Sequence, residues 1–290
     1  MSTELRYFAS FSYSDKEWTV IRAITSIFWL ATMWRVILVY GDGNPFPEGI
    51  CRWFDCSAFA DGPLSWITLA VVSMLALAYV RGDSPLIITA SMACMSVVIL
   101  SIERCHGVQA REELWSMILL GQTAAQARYS LGSHYFRQTV PIQNILMAYS
   151  VQMLTVAYVT AGITKLQTSG FDWVLNSPNA QLQVIKLAAQ LKIEFGLEWP
   201  SAYAHSVGLF IDRFPLIFQS LFAFALLTEL LAFIGMLSKR LSRLYGVILL
   251  FLHAGIMLVM FIVIPTFIVC IVAYMTPIPQ WIASRWLKKT

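Results

Sequence analysis

Three ionisable residues lie inside or at the end of strongly apolar stretches. Lys165 follows the apolar part of AYVTAGITKLQTSGFDW, Glu229 is deep in LFAFALLTELLAFIGML, and His253 is in the middle of GVILLFLHAGIMLVM. A charge in such surroundings is costly unless it is paired or hydrated, so each residue is a candidate for function. A partly desolvated lysine can act as a general base, while carboxyl and imidazole groups can hold or move protons.

A structural alternative stays open for each of them. Lys165 either extends to the membrane surface or serves as a base. Glu229 either forms a structural pair with a cation or handles protons; the candidate cations are Arg22, Arg35 and His253. His253 is either satisfied by one hydrogen bond or coupled to Glu229 on the preceding helix.

The composition indicates which elements position these residues. Hydrophobic residues make up 58% of the chain and charged residues 12%, and the mean hydropathy is +0.67. Soluble domains carry about 25% charged residues, so the sequence predicts an all-α integral membrane protein. A net charge of +4, without a basic run interleaved with aromatics, argues against nucleic-acid binding.

Apolar windows predict a bundle of about eight transmembrane helices. A long last stretch, Tyr245–Met275, is divided in two because Pro265 interrupts a helix. The fourth span carries Gln122, Gln126 and Arg128, so it is either buried among other helices or interfacial. The first six predicted spans are Thr19–Tyr40, Leu64–Val80, Leu86–Ser101, Glu113–Arg128, Ile142–Ile163 and Pro215–Leu237.

Basic residues predict the orientation. With eight spans, eleven basic residues lie on one side of the membrane and six on the other. With seven spans, the two sides carry eight and nine basic residues, which gives no preference. Cytoplasmic loops collect Lys and Arg, so we expect eight spans with both termini cytoplasmic. The eleven are Arg6, Lys16, Arg81, Arg128, Arg137, Lys239, Arg240, Arg243, Arg285, Lys288 and Lys289; the six are Arg52, Arg104, Arg111, Lys186, Lys192 and Arg213.

Two external segments follow from this orientation within a single transmembrane domain, residues 1–290. The loop 167–214, between spans five and six, is predicted to form an amphipathic helix with two apolar stripes. That helix is either a simple cover or a substrate-facing element. Cys51 and Cys56 share an external loop in which a disulfide is permitted; they either form one or stay free, and Cys105 is a competing partner.

The stretch around Lys165 resembles a segment of the vitamin K-dependent γ-carboxylases. In that segment an aromatic residue precedes Ala-Gly, then a lysine and leucine, then a tryptophan. The later order is also similar: a helix with an acidic residue, a basic turn at 239–243, a helix with a histidine, and prolines before Trp281. The chain is therefore similar to the HTTM (horizontally transferred transmembrane) domain. It looks most like the bacterial branch that includes the sporulation-delaying-protein B type, implicated in maturing exported peptide toxins. This resemblance implies a multi-pass protein of a bacterial inner membrane.

The resemblance implies a role for each matching residue. Lys165 would be the base in an oxygen-dependent oxidation of reduced vitamin K or another quinone. Glu229 and His253 would line the same cavity. Tyr158, Gly162 and Trp173 match positions expected to hold the cofactor.

We therefore expect a γ-carboxylase-like membrane enzyme (a lyase) in which a lysine base acts on a peptide or lipid at the external face. The alternative is a non-catalytic membrane partner in peptide toxin maturation, export or immunity. A transporter is disfavoured because no inverted repeat is apparent. Membrane lipid and an exported peptide are the expected partners, and no metal is expected because no Cys/His set has zinc spacing. By order along the chain, His106 is the candidate for the carboxylases' catalytic histidine.

Overall fold

The computed structural model describes residues 3–40, 49–53, 55–82, 85–106, 112–260, 262 and 264–286. Within these residues every regular element is helical, as the apolar runs predict. The α-helices of this part are α1 (Thr3–Ala9), α2 (Asp15–Val39), α3 (Gly62–Arg81), α4 (Pro85–Cys105), α5 (Leu114–Leu131), α6 (His134–Thr139), α7 (Ile142–Ser169), α8 (Asp172–Leu175), α9 (Ala180–Phe195), α10 (Trp199–Arg213), α11 (Pro215–Leu230), α12 (Lys239–Met260), α13 (Pro265–Met275) and α14 (Ile278–Trp286).

Six segments in the described residues are long and apolar enough to cross a membrane. They are α2, α3, α4, α7, α12 and the segment Pro215–Met236, which contains α11. Helices α13 and α14 form a pair bent by 62°, which counts as a seventh span if the pair crosses together. The chain is thus a multi-pass membrane protein, and the predicted break at Pro265 is confirmed because α13 begins there.

Helix α5, the fourth predicted span, is buried among its neighbours. Its Gln122 side chain receives a hydrogen bond from Tyr79 of α3 (2.7 Å) and donates to Ser150 of α7 and Tyr274 of α13 (3.1 Å each). The Tyr274 hydroxyl is also bonded to Thr25 of α2. A glutamine is expensive in an apolar interior unless it is fully paired, so this network joins five helices in one arrangement.

Ion pairs secure α2 to its neighbours near both of its ends. Near its start, buried Glu17 accepts hydrogen bonds from Lys239 and Arg243 at the start of α12 (2.9 and 2.8 Å). Near its end, Arg35 donates to Glu103 of α4 (2.9 Å). Arg22 donates to the Tyr79 carbonyl (3.4 Å), so the two α2 arginines face different helices and neither pairs with the candidate site.

The segment 167–214 contains more structure than the single amphipathic helix predicted for it. Helix α7 continues to Ser169, and the rest folds into α8, a short 3-10 turn, and the longer helices α9 and α10. Val184 and Ala188 of α9 pack on Ala204 of α10 and are buried. The opposite side of α9, including Leu182, is exposed, because pairing with α10 covers only one of its two apolar stripes.

Candidate functional site

The site is built where α11 ends. The chain leaves the α-helical path after Leu230 and continues as a 3-10 turn, Ala232–Met236. A helix break inside a membrane span leaves carbonyl groups that need a donor. The Tyr245 hydroxyl of α12 donates to the Thr228 carbonyl and supplies one. The break is therefore held by a second helix, and it fixes Glu229 in the last turn of α11.

Lys165 of α7 forms an ion pair with Glu229. The ammonium group donates to both carboxylate oxygens. The Lys165 side chain is 28% exposed and that of Glu229 is 8% exposed, so the carboxylate is buried and the lysine is partly in contact with solvent. None of the cations predicted for Glu229, which were Arg22, Arg35 and His253, is its partner in the structure. The sequence did not indicate that α7 would supply the cation.

Gly162 sets the distance between α7 and α11 beside this pair. A Cβ at position 162 would lie 3.1 Å from Leu230 and 3.2 Å from the Glu229 Cβ. The glycine, one turn before Lys165, therefore lets the two backbones approach closely enough for the ion pair to form. Its Cα faces α11, so its contribution is helix packing rather than contact with the cleft described below.

His253 of α12 is bonded to Tyr158 of α7 and not to Glu229, so of the two alternatives the structure has the single hydrogen bond. The Tyr158 hydroxyl and the His253 Nε2 are 2.5 Å apart. Phe267 of α13 packs its ring against both of their rings. Tyr158 and Lys165 lie seven residues, or about two turns, apart on the same face of α7. The two pairs are therefore neighbours in one polar cluster at the contact of α7, α11 and α12.

Trp173 of α8 covers the lysine. The Lys165 Nζ lies 4.8 Å from the centroid of a Trp173 ring, a cation–π contact, and Trp173 packs on Phe222 of α11 at 4.9 Å. Gln219 of α11 donates to the Leu175 carbonyl (2.9 Å), which holds α8 in place. The tryptophan that the family resemblance singled out is thus in contact with the candidate base.

A cleft of about 550 Å³ is lined in part by this tryptophan. Its size falls in the range of small-molecule sites. Polar side chains form most of its wall, together with two aromatic rings and one alanine. They are Thr168, Ser169, Asp172, Trp173, Asn176, Ser177, Asn179, Ala180 and Phe222. Apart from Trp173, the sequence did not single out these residues, because residues 168–180 carry no periodic signal and Phe222 is one of several aromatic residues in an apolar run.

The cluster can transfer a proton over a short path. An ion-paired lysine is protonated and becomes a base only after its proton leaves. The Glu229 carboxylate is in direct contact and can accept that proton, giving a neutral amine and a neutral carboxylic acid. In surroundings of low polarity such a neutral pair is far less costly relative to the ion pair than it is in water. Lys165 and Glu229 together therefore form an acid–base unit.

The predicted Cys51–Cys56 disulfide is absent from the structure. The Cys51 thiol instead contacts both Cys56 and Cys105 through hydrogen bonds, and all three residues are buried. Burial raises the pKa of the Cys51 and Cys56 thiols above the ordinary value. Both are therefore protonated at neutral pH, and protonated thiols are poor nucleophiles.

His106, the other histidine considered from the sequence, lies at the end of α4. Its Nδ1 is 2.9 Å from the Ile102 carbonyl and its ring packs on Tyr40, so it sits between α2 and α4. It does not share the contact of α7, α11 and α12. In the described part of the chain, no three His, Cys, Asp or Glu residues are grouped as metal ligands.

Comparisons with other proteins add no assignment to this geometry. No family model matches the chain, and neither the curated proteins nor the solved structures contain a match.

Proposed function

We propose that this protein is an integral-membrane enzyme in which Lys165 is the general base. The observation that carries the proposal is the placement of Lys165: it is paired with Glu229, covered by Trp173, and adjacent to an open polar cleft. A purely structural ion pair has no need of an adjacent cleft. The family resemblance supports base chemistry at the same lysine.

The steps that these residues perform are proton movements. Lys165 passes its proton to Glu229, and the neutral amine then takes a proton from a substrate in the cleft or at its edge. The Tyr158–His253 pair joins α7 to α12 about two turns along α7 from Lys165. Positioned bases of this kind typically contribute about 10²–10⁴-fold to rate.

A quinone cofactor, expected from the resemblance, does not fit the lining of this cleft. Six of its nine residues present hydroxyl, amide or carboxylate groups, whereas a quinone ring needs a flat apolar slot. We therefore derive no step through a quinone. Peptide carboxylation is one reaction compatible with a lysine base, and a lipid substrate is another.

The proposal includes eight membrane crossings. To the six apolar segments it adds α5, which is enclosed by α4 and α7, and the bent α13–α14 pair as one crossing. Eight crossings place both termini on the side richer in Lys and Arg, which is the cytoplasm in a bacterial inner membrane. The cleft then opens on the external side.

The test compares two variants of Lys165 with one variant of Lys186, an exposed lysine of α9, in membranes of cells that make or lack the protein. Untargeted mass spectrometry of lipids and peptides identifies any product that depends on the protein. Lys165→Ala and Lys165→Arg should both abolish that product. Arginine keeps the cation for Glu229 but cannot release its proton at neutral pH. Lys186→Ala, on the exposed side of α9, should leave the product unchanged.

If membranes with Lys165→Arg still contain the product at its full level, the proposal that Lys165 is a general base is refuted. The cation alone would then suffice, and the pair would be structural.

A non-catalytic partner of an exported peptide is the second candidate. The exposed apolar side chains of the α9–α10 pair favour it, with Ile193 and Leu209 as examples. It predicts that replacing Ile193 and Leu209 by serine abolishes the peptide-dependent phenotype, while Lys165→Arg leaves it intact.

A further inference from the structure

Three of the five cysteines meet at one point beside α4. Cys51 lies in a 3-10 turn, Gly49–Arg52, and Cys56 begins a second turn, Cys56–Phe59. Cys105 is the last residue of α4, and both turns pack against that helix. Each of the three residues is at most 5% exposed, and all belong to one buried cluster. The fold therefore gathers thiols from two distant parts of the sequence.

The Cys51 thiol links the other two. It makes a hydrogen bond to Cys56 and another to Cys105. A disulfide requires two sulfur atoms about 2 Å apart on Cβ atoms about 4 Å apart. Thiols in hydrogen-bonding contact reach this geometry with a small shift of two side chains. Either neighbour can therefore supply the second sulfur for a bond to Cys51.

The two possible bonds differ in what they hold together. A Cys51–Cys56 bond closes a short ring within one loop and leaves α4 unconstrained. A Cys51–Cys105 bond fastens this loop to the end of α4, close in sequence to Glu103, which pairs with Arg35 of α2. It closes a much longer stretch of chain, and closing a longer stretch removes more entropy from the unfolded protein.

We propose that Cys51, Cys56 and Cys105 form a thiol–disulfide site in which Cys51 is the shared member. Oxidation joins Cys51 either to Cys105 or to Cys56. The remaining thiol stays beside the new bond, where it can attack the Cys51 sulfur and take the bond over. The site uses none of the residues of the Lys165 cluster, so it does not rest on the proposed function.

The oxidant is itself a disulfide, that of a thiol-oxidising protein or a small one such as oxidised glutathione. The Cys51 sulfur attacks one glutathione sulfur, the glutathione S–S bond breaks, and one glutathione leaves as a thiol. The sulfur of Cys105 or Cys56 then attacks Cys51 in this mixed disulfide and releases the second glutathione as a thiol. Two protein thiols lose two electrons and two protons, and the oxidised glutathione gains both. Because the sulfurs are buried, the first attack requires a local opening of the two turns.

The experiment uses the full chain, purified in detergent in its reduced form and incubated with oxidised glutathione. The remaining thiols are alkylated in denaturant, the chain is digested, and mass spectrometry identifies peptides joined by disulfides. Both the Cys51–Cys105 and the Cys51–Cys56 linkages should be found. Cys94 of α4 and Cys270 of α13 are the internal controls and should not be joined to another residue of the chain.

Serine variants test the shared role of Cys51. Cys56→Ser should form only the bond to Cys105, Cys105→Ser only the bond to Cys56, and Cys51→Ser should form neither. Cys94→Ser, the matched control on α4, should form both bonds as the natural chain does. A Cys51→Ser chain that joins Cys56 to Cys105 as fully as the natural chain forms its bonds would overturn the shared role.

Thermal unfolding followed by circular dichroism shows what each bond holds together. Before oxidation, the variants should have the helix content of the natural chain, which establishes that they fold. After oxidation, the unfolding temperature should rise more in Cys56→Ser than in Cys105→Ser, because the bond to Cys105 closes the longer stretch of chain. Equal rises would contradict the fastening of the loop to α4.

Two results on the natural chain overturn the inference without any variant. One is that Cys51 remains a thiol after incubation with oxidised glutathione. The other is that Cys51 is joined to Cys56 alone, since its contact with Cys105 would then have no chemical consequence.

Discussion

Replacing both members of the Lys165–Glu229 pair by apolar residues should restore stability without restoring function. Lys165→Met alone leaves a carboxyl group that is 8% exposed without its cation. Removal of one partner from a buried pair costs about 3–5 kcal/mol, and the partial exposure of this pair favours the lower end, about 3 kcal/mol. Glu229→Leu alone should cost less, about 1.5 kcal/mol, because the lysine is 28% exposed and can reach water.

The double variant, Lys165→Met with Glu229→Leu, leaves no unpaired charge. We expect it to cost about 1.5 kcal/mol in total, so the coupling energy between the two positions is about 3 kcal/mol. The measurement is equilibrium unfolding in mixed micelles with an increasing fraction of a denaturing detergent, followed by circular dichroism. The same four proteins are assayed for the Lys165-dependent product, which the double variant should lack.

An exposed pair in the same protein provides the control. Lys192 and Glu198 are 3.0 Å apart, with side chains 51% and 74% exposed. Their coupling energy in the corresponding cycle should be below about 1 kcal/mol, as is usual for surface pairs. If the unfolding free-energy costs of the two single replacements at 165 and 229 simply add in the double variant, the two residues are not energetically coupled and the inference of a buried ion pair is refuted. A double variant that still makes the product would refute the lysine base.

Three further predictions concern the packing that supports the site, each measured as the change in free energy of unfolding. Gly246→Ala should cost about 3 kcal/mol or more, because its Cβ would lie 2.1 Å from the Met275 carbonyl oxygen; Gly255→Ala, with open space around it, should be neutral or slightly stabilising. Gln122→Leu should cost about 2–4 kcal/mol, because Tyr79, Ser150 and Tyr274 each lose a buried hydrogen bond. Glu17→Gln should cost about 3 kcal/mol, because two partly buried cations lose their carboxylate.

The location of the site could be predicted from the sequence, because an ionisable residue in an apolar run is conspicuous. Lys165, Glu229 and His253 were identified in this way, and the structure brings them to one contact of three helices. Their pairing could not be predicted. Which side chains meet depends on the rotation and relative height of the helices, and on the break after Leu230 that ends α11.

The cleft was beyond prediction for a different reason. Residues 167–180 contain neither helical nor strand periodicity, so they read as an ordinary polar loop. Their arrangement depends on tertiary contacts with α11, such as the bond from Gln219 to the Leu175 carbonyl. The same holds for the loop with Cys51 and Cys56. Two cysteines in one loop can form a disulfide, but the sequence alone does not show that their sulfur atoms are bonded.

The end of α7 connects the acid–base unit to the cleft. Lys165 and the cleft residues Thr168 and Ser169 lie within two turns of this one helix, so their relative positions are fixed by helical geometry. Trp173 contacts the Lys165 amine and also forms part of the cleft wall. Any molecule bound in the cleft therefore lies next to the tryptophan that covers the base. Because the Glu229 side chain is 8% exposed and that of Lys165 is 28% exposed, the lysine is the member of the pair that can turn toward a ligand.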